Sequence, residues 1–154
     1  MRVPLPPGVS IRDARVSDLA RLHEIDALCF DRDIAFSRAE LLFYLRHARS
    51  HAKAAERMGT VVGFAIGRVE GEFHGHLITL DVVPEARRAG IGTALVEVVH
   101  DEFRRAGVFL AVLEVDVTNT GALRFYEKLG YERVETLRGY YRGRSDAYRM
   151  ACFL

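Results

Sequence analysis

Residues Leu77 to Phe103 read as strand, tight loop and helix, and that run limits the possible fold more than any other. Leu77-Ile78-Thr79-Leu80-Asp81-Val82-Val83 has the length and apolar content of a strand. Pro84 ends its pairing, since proline has no N–H to give a ladder. Behind it, Arg87-Arg88-Ala89-Gly90-Ile91-Gly92-Thr93 leads into a helix with Ile91, Leu95, Val98, Val99 and Phe103 on one face. N–H groups in the first turn of a helix lack partners within it, and the dipole there favours anions. Glycine lets a phosphate approach the backbone closely. Residues 87–93 are therefore expected to seat a pyrophosphate-containing cofactor.

Two familiar phosphate motifs fit less well. Gly90 and Gly92 begin the dinucleotide pattern G-x-G-x-x-G, with Glu114 at a suitable distance for its acid, but Leu95 holds the third glycine position. These glycines also lie behind Pro84-Glu85-Ala86-Arg87-Arg88, not directly after the strand. The sequence has no Gly-Lys-Ser/Thr run for a phosphate loop. A purely structural strand-to-helix turn with solvated arginines is the remaining competitor.

In chain order, Met1–Gly8 is a Pro-rich, loose lead-in, and residues 9–154 are expected to form one domain. Val9–Arg12 reads as a short strand, and Ser17 as the cap of a helix with Leu19, Leu22, Ile25 and Cys29 at helical spacing. Ser37-Arg38-Ala39-Glu40 is a capping box opening a second helix to about Arg49, with Leu41, Leu42 and Leu45 inward. His51–Glu56 and Thr60–Glu70 form a strand pair turning near Met58-Gly59, where Gly63 and Gly67 mark bulges or close backbone approach. Gly107 ends the central helix. Val108–Val117 is apolar enough for burial on both faces, as in a parallel pairing reached by a right-handed crossover. Asn119 caps a helix that ends at Gly130, with Leu123, Tyr126 and Leu129 on one stripe. Tyr131–Tyr140 and Ala147–Phe153 close the chain as strands joined across Arg142-Gly143-Arg144. The fold class is α/β, a mixed sheet of about seven strands with about four helices on its faces.

At 154 residues the chain can bury about two-thirds of its unfolded surface. A net charge of +1 argues against a nucleic-acid partner held by counterion release. No apolar run approaches the ~18 residues of a membrane span, and Met1–Gly8 has no signal-peptide core, so a cytoplasmic protein with no membrane partner is expected. Cys29 and Cys152 fit reduced, mostly buried thiols, and a disulfide between them is not expected in that compartment.

Asn119 and Ala122-Leu123-Arg124-Phe125-Tyr126-Glu127-Lys128-Leu129-Gly130-Tyr131, taken with Arg87-x-x-Gly90-x-Gly92 and this order of elements, resemble the Gcn5-related N-acetyltransferase (GNAT) superfamily over nearly the whole chain. Leu137-Arg138-Gly139-Tyr140-Tyr141 and Asp146-Ala147-Tyr148-Arg149-Met150 look like its protein N-terminal acetyltransferase branch, which includes bacterial ribosomal-protein enzymes and archaeal relatives. One departure is Ala35, before Phe36-Ser37, where bacterial relatives often have proline.

The resemblance implies a mostly antiparallel sheet whose central parallel pair splays apart, and acetyl-CoA as donor. It implies that backbone N–H groups of Arg87, Arg88, Ala89, Gly90, Ile91, Gly92 and Thr93 hold the pyrophosphate. Main-chain groups of Val82 and Val83 would hold the pantetheine arm, with Asn119 and Tyr126 also at the cofactor. Direct attack of an amine on the thioester needs no enzyme nucleophile and no metal. It needs a route for a proton and an acid for the departing thiolate.

Glu114 is the first candidate base: an acid inside an apolar run, whose burial is expected to raise its pKa, in a branch that carries Glu or His there. A salt bridge or an exposed strand end is the plainer reading. His76, where some relatives keep a catalytic Tyr, is second, and Asp81 third. His76 also shares a strand face with Glu72 and His74, but no further metal ligand is evident. Tyr126 is the candidate acid, or else a core residue of the helix stripe. Tyr140 and Tyr141, with Phe36 opposite, form the expected wall of a peptide slot; a terminal hairpin with tyrosines on alternate faces is the alternative.

The expected activity is transfer of an acetyl group from acetyl-CoA to the α-amino group of a protein or peptide N-terminus. An acetyltransferase for a small amine (polyamine, amino acid or antibiotic) is the second reading, with Asp31, Asp33 and Glu40 as a possible acidic pocket. A non-catalytic acyl-CoA-binding module is the third, and it is disfavoured by the presence of both Glu114 and Tyr126.

Overall fold

In a computed structural model, residues 4–154 are described. Met1–Val3 of the expected lead-in lie outside the described residues. In the rest of that segment Leu5 packs on the core, and the Val9 N–H donates to the Pro6 carbonyl at 3.2 Å.

Among the described residues seven strands make one sheet: β1 (Val9–Asp13), β2 (Ser50–Arg57), β3 (Thr60–Glu70), β4 (His74–Val82), β5 (Leu110–Asp116), β6 (Glu132–Tyr141) and β7 (Ser145–Phe153). Their order is β1-β2-β3-β4-β5-β7-β6, and every neighbouring pair is antiparallel except β4–β5. The helices are α1 (Leu19–Cys29), α2 (Arg38–Arg46), α3 (Ile91–Arg105) and α4 (Thr120–Lys128).

Local rules account for most element ends. The Ser37 hydroxyl accepts from the Glu40 N–H while the Glu40 carboxylate accepts from the Ser37 N–H, closing the capping box of α2. Asn119 caps α4 through the Ala122 N–H. Ser17 does not cap α1. It lies in a 3-10 turn, Val16–Asp18, where the Asp18 carboxylate takes the Arg15 N–H and the Arg12 guanidinium instead. A charged acceptor with two donors outcompetes a hydroxyl.

β5 also departs from expectation. Its residues alternate: Ala111, Leu113 and Val115 are buried, whereas Leu110, Val112, Glu114 and Asp116 are only partly covered. Parallel pairing with β4 spans just three rungs, from His74 opposite Leu110 to His76 opposite Val112. Beyond them the strands part, so one face of β5 borders a gap.

The core side of β4 changes halfway along it. Gly75 faces α3 so closely that a Cβ there would lie 2.7 Å from the Phe103 ring. Leu80, of opposite parity, also faces α3, since its Cδ2 would lie 3.7 Å from a Cβ at Gly92. Simple alternation forbids both. A bulge reconciles them: Ile66 pairs with Thr79 but Gly67 with Leu77, leaving Ile78 over. His76 and Asp81 are thereby both turned away from α3. Gly67 is required for a second reason, because a Cβ there would sit 2.4 Å from Val99 and 2.8 Å from Phe103.

Along α3, Ile91, Leu95, Val99 and Phe103 are buried, as are Val96 and His100, while Val98 is only partly covered. His100 hydrogen-bonds the Tyr131 hydroxyl at 2.6 Å, and burial pushes its ring down to about 4, so it stays neutral.

Candidate active site

Where β4 and β5 part, a cleft of about 860 Å³ opens. From the β4–α3 side it is lined by Arg87, Arg88, Gly90, Gly92 and Thr93. Gly90 is the N-cap of α3 with φ of 86°, a left-handed conformation that only glycine adopts without strain. The first turn-closing bond runs from the Ala94 N–H to the Gly90 carbonyl at 3.0 Å, so the N–H groups of Ile91, Gly92 and Thr93 precede it. Beyond its chain neighbours and its own helix backbone, nothing among the described residues lies nearer than 3.5 Å to a Cβ built at Gly92. Packing does not demand glycine there, since a Cβ would meet Phe125 and Leu80 only at ordinary van der Waals distance. The first-turn N–H groups beside it, unpaired within the helix, and Arg87 and Arg88 on the same wall suit an anion such as a phosphate. The Ile91 side chain is 1% exposed, leaving only its backbone to serve a ligand, and Ala89 does not line the cleft.

The β4 edge contributes differently from expectation. The Val83 N–H donates to the Val62 carbonyl at 2.9 Å, and the Val83 carbonyl accepts from Ala86 at 3.0 Å. With both groups used, Val83 is off the cleft. Antiparallel ladders alternate, so the backbone groups of Val82 and Leu80 face the gap instead. The Val82 carbonyl there accepts from the Arg87 Nε at 2.9 Å. Asn119 and Tyr126 complete this wall from α4.

Glu114 stands at the gap's floor. It follows the last rung by two residues, on the same face as Val112 and His76. Its Oε1 lies 2.6 Å from His76 Nε2 and accepts from the Tyr140 hydroxyl at 3.1 Å; its Oε2 accepts from Arg149 Nε at 3.2 Å, directly across the β5–β7 ladder. Glu114 lines the cleft, whereas His76 sits behind it, with Nδ1 3.4 Å from Glu70. Burial pushes the Glu114 carboxyl up, but hydrogen bonds from His76, Arg149 and Tyr140 outweigh it, and the carboxyl ends below its ordinary value. This reverses the expected rise. Burial pushes His76 down, Glu114 more than offsets it, and the ring ends above the usual histidine value. Asp81 is 1% exposed and closed off from the cleft, so it is no base for a substrate there.

Phe36, Tyr140 and Tyr141 line the same cleft. Consecutive strand residues ordinarily face opposite ways. Here the β6–β7 register shifts between Leu137 and Tyr141, around Gly139 at φ of 64°. Both tyrosines thus reach the cleft, packed edge to face with centroids 4.9 Å apart. Burial pushes the Tyr140 phenol up to about 12 and raises those of Tyr126 and Tyr141, so all three remain donors. Cys29, Phe30 and Ile34 join this side of the cleft. Sequence reading missed them and also missed Arg149 and Glu70, whose roles follow from strand register alone.

The three acids considered for a polycation pocket have local duties. Glu40 closes the capping box, Asp31 accepts the Asp33 N–H, and Asp33 accepts from Arg144 at 3.3 Å. Cys29 and Cys152 are free thiols. No helix among the described residues is long and apolar enough to cross a membrane.

The model of the acetyltransferase (GNAT) family matches residues 19–131. The chain is 32% identical to an N-alpha-acetyltransferase of Sulfurisphaera tokodaii, across 92% of this chain and 90% of that protein. Among solved structures it is similar to Ard1 from Thermoplasma volcanium, with a TM-score of 0.88 and 26% identity over 96% of this chain and 98% of that one. It is also similar to the ribosomal-protein-S18-alanine N-acetyltransferase from Escherichia coli, with a TM-score of 0.84 and 28% identity over 94% and 93% of the two chains.

Proposed function

Because the chain belongs to the acetyltransferase (GNAT) family, we propose that its cleft transfers the acetyl group of acetyl-CoA to the α-amino group of a protein or peptide N-terminus. The observation that carries this reading is Glu114 at the floor of a gap between two strands, with an anion cradle on one side and paired tyrosines on the other.

When bound, acetyl-CoA supplies an electrophilic thioester carbonyl. The N–H groups at the start of α3 hold the pyrophosphate, and the free edge of β4 at Leu80 and Val82 orients the arm. Glu114 accepts the amine's proton and passes it to His76 Nε2, with Glu70 at Nδ1 leading outward. The lowered Glu114 carboxyl is a weak store for that proton, and the raised His76 ring is the better one. Tyr126, kept protonated by burial, donates to the departing sulfur.

The acceptor runs between Phe36 and the two tyrosines, rings covering the chain and hydroxyls bonding its backbone. A free chain end enters such a slot with one flanking backbone, whereas an internal lysine brings two. The engaged states of Asp31, Asp33 and Glu40 weigh against a polycation. Turnover of acetyl-CoA against N-terminal peptides, lysine peptides and small amines tests the assignment. Peptide α-amines are expected to lead, and faster turnover of any free polyamine or amino acid overturns it.

A further inference from the structure

Two carboxyl groups meet in the core behind the cleft lining in a way that acetyl transfer does not call for. Asp26, on α1, is 0% exposed, and Asp81, on β4, is 1% exposed. Asp26 Oδ2 accepts the Phe36 N–H at 2.6 Å, and Asp81 Oδ1 accepts the Thr79 hydroxyl at 2.5 Å. Their other oxygens, Asp26 Oδ1 and Asp81 Oδ2, have no donor among the described residues, although the two side chains lie within hydrogen-bond reach of each other. Two buried carboxylates facing one another without a cation between them are not tenable as a pair of anions.

We propose that Asp26 and Asp81 share a single proton and act as a positioning pair that holds the acceptor loop, residues 30–37, against β4. The O–H of one carboxyl donates to the other, which satisfies both orphan oxygens with one bond. Through Asp26 that bond reaches the Phe36 backbone, and Ile34 and Phe36 of the same loop line the cleft. Burial, then the neighbouring Asp26, pushes the Asp81 carboxyl well above its ordinary value, as a retained proton requires. Loss of the proton leaves two repelling charges. The sheet holds Asp81, so the loop gives way and acceptor binding weakens.

This inference rests on reading the cleft as a peptide-acceptor site, and its test separates the two. In Asp81→Asn, the amide donates permanently to Asp26 while its oxygen still accepts from Thr79, so the bond persists without a titrating proton. The amine of the peptide ionises identically for both proteins. Cys29 from α1, Arg87 from the turn after β4 and Tyr126 from α4, the other titratable groups around Asp81, also remain. The ratio of peptide KM, parent over Asp81→Asn, therefore isolates the pair. It is expected near unity at low pH, rising to roughly tenfold at high pH, as for loss of one net hydrogen bond, with kcat and acetyl-CoA affinity moving together in the two proteins.

Infrared spectroscopy of the parent at neutral pH is expected to show a buried protonated-carboxyl stretch that is absent from Asp81→Asn. Asp26→Asn, whose oxygen keeps the Phe36 N–H while its amide donates to Asp81, is expected to behave likewise and serves if the first variant misfolds. A ratio flat with pH, or no protonated carboxyl in the parent, overturns the pair. Should no peptide be turned over, the acceptor assignment falls, and the infrared band still decides whether the proton is shared.

Discussion

His76 and Glu114 face each other at 2.6 Å across the last point where β4 and β5 remain paired. One residue further along, the strands have begun to part, so the pair closes the floor of the cleft and gives a proton a way through it. The directions of their shifts, His76 up and Glu114 down, show each group favouring the charged form of the other.

Turnover should therefore rise with pH through the raised His76 value, because only the neutral ring can take the proton. The sign follows from the direction: the ion pair is complete below the ordinary imidazole pKa of about 6.5 and is lost as pH climbs through the folded value. Glu114→Gln removes the anion that raises the ring. It should lower kcat by roughly 10²-fold and move the acidic limb of the profile to lower pH. A variant with the parent rate and an unmoved limb would remove Glu114 from the proton route.

Tyr126→Phe deletes one hydroxyl from a residue 9% exposed and keeps its ring packing. Its kcat should fall by roughly 10-fold or more while acetyl-CoA affinity holds, since the phenol acts on the departing sulfur. Equal losses in both would reassign Tyr126 to binding.

Gly92→Ala brings a methyl no nearer than 3.5 Å to any described residue outside its own helix backbone and chain neighbours, so the fold should be preserved. The methyl instead intrudes on the anion cradle. Acetyl-CoA binding, followed by calorimetry, should weaken roughly tenfold, and more for Gly92→Val. Unchanged affinity in folded Gly92→Val would move the pyrophosphate elsewhere.

Tyr141→Ala should raise the peptide KM by roughly tenfold through loss of one aromatic wall, with acetyl-CoA affinity untouched. Steady-state kinetics with the best peptide of the panel would read this directly.

Gly67→Ala forces a methyl to within 2.4 Å of Val99 and 2.8 Å of Phe103. Overpacking of this kind costs about 1–3 kcal/mol, and each kcal/mol is worth roughly 2–4 °C in a chain of this length. A thermal melt equal to the parent's would mean that α3 stands further from the sheet.

The parts legible in the sequence were those set by neighbours in the chain. The capping box at Ser37, the cap at Asn119 and the glycine-flanked start of α3 each depend on a few adjacent residues. The rest depends on which strands meet, and where. Arg149 reaches Glu114 from 35 residues away only because β5 and β7 pair in one register. Val83 looked equivalent to Val82 until the ladder gave its N–H to Val62. Glu114 was expected to rise by burial, but its partners, invisible to local pattern, turned the shift downward.

Ile78 is in effect a frameshift written into a strand. Up to Leu77, β4 is read by the ring of Phe103; from Thr79 onward, the same two-residue alphabet is read with the faces exchanged. The two halves of the strand can therefore drift independently by substitution, one answering to the core and the other to the cleft. Drawing Ile78 into the ladder as an ordinary rung would re-phase everything after it, turning Asp81 toward α3 and Leu80 away, whereas deleting it would only close the bulge and leave both as they are.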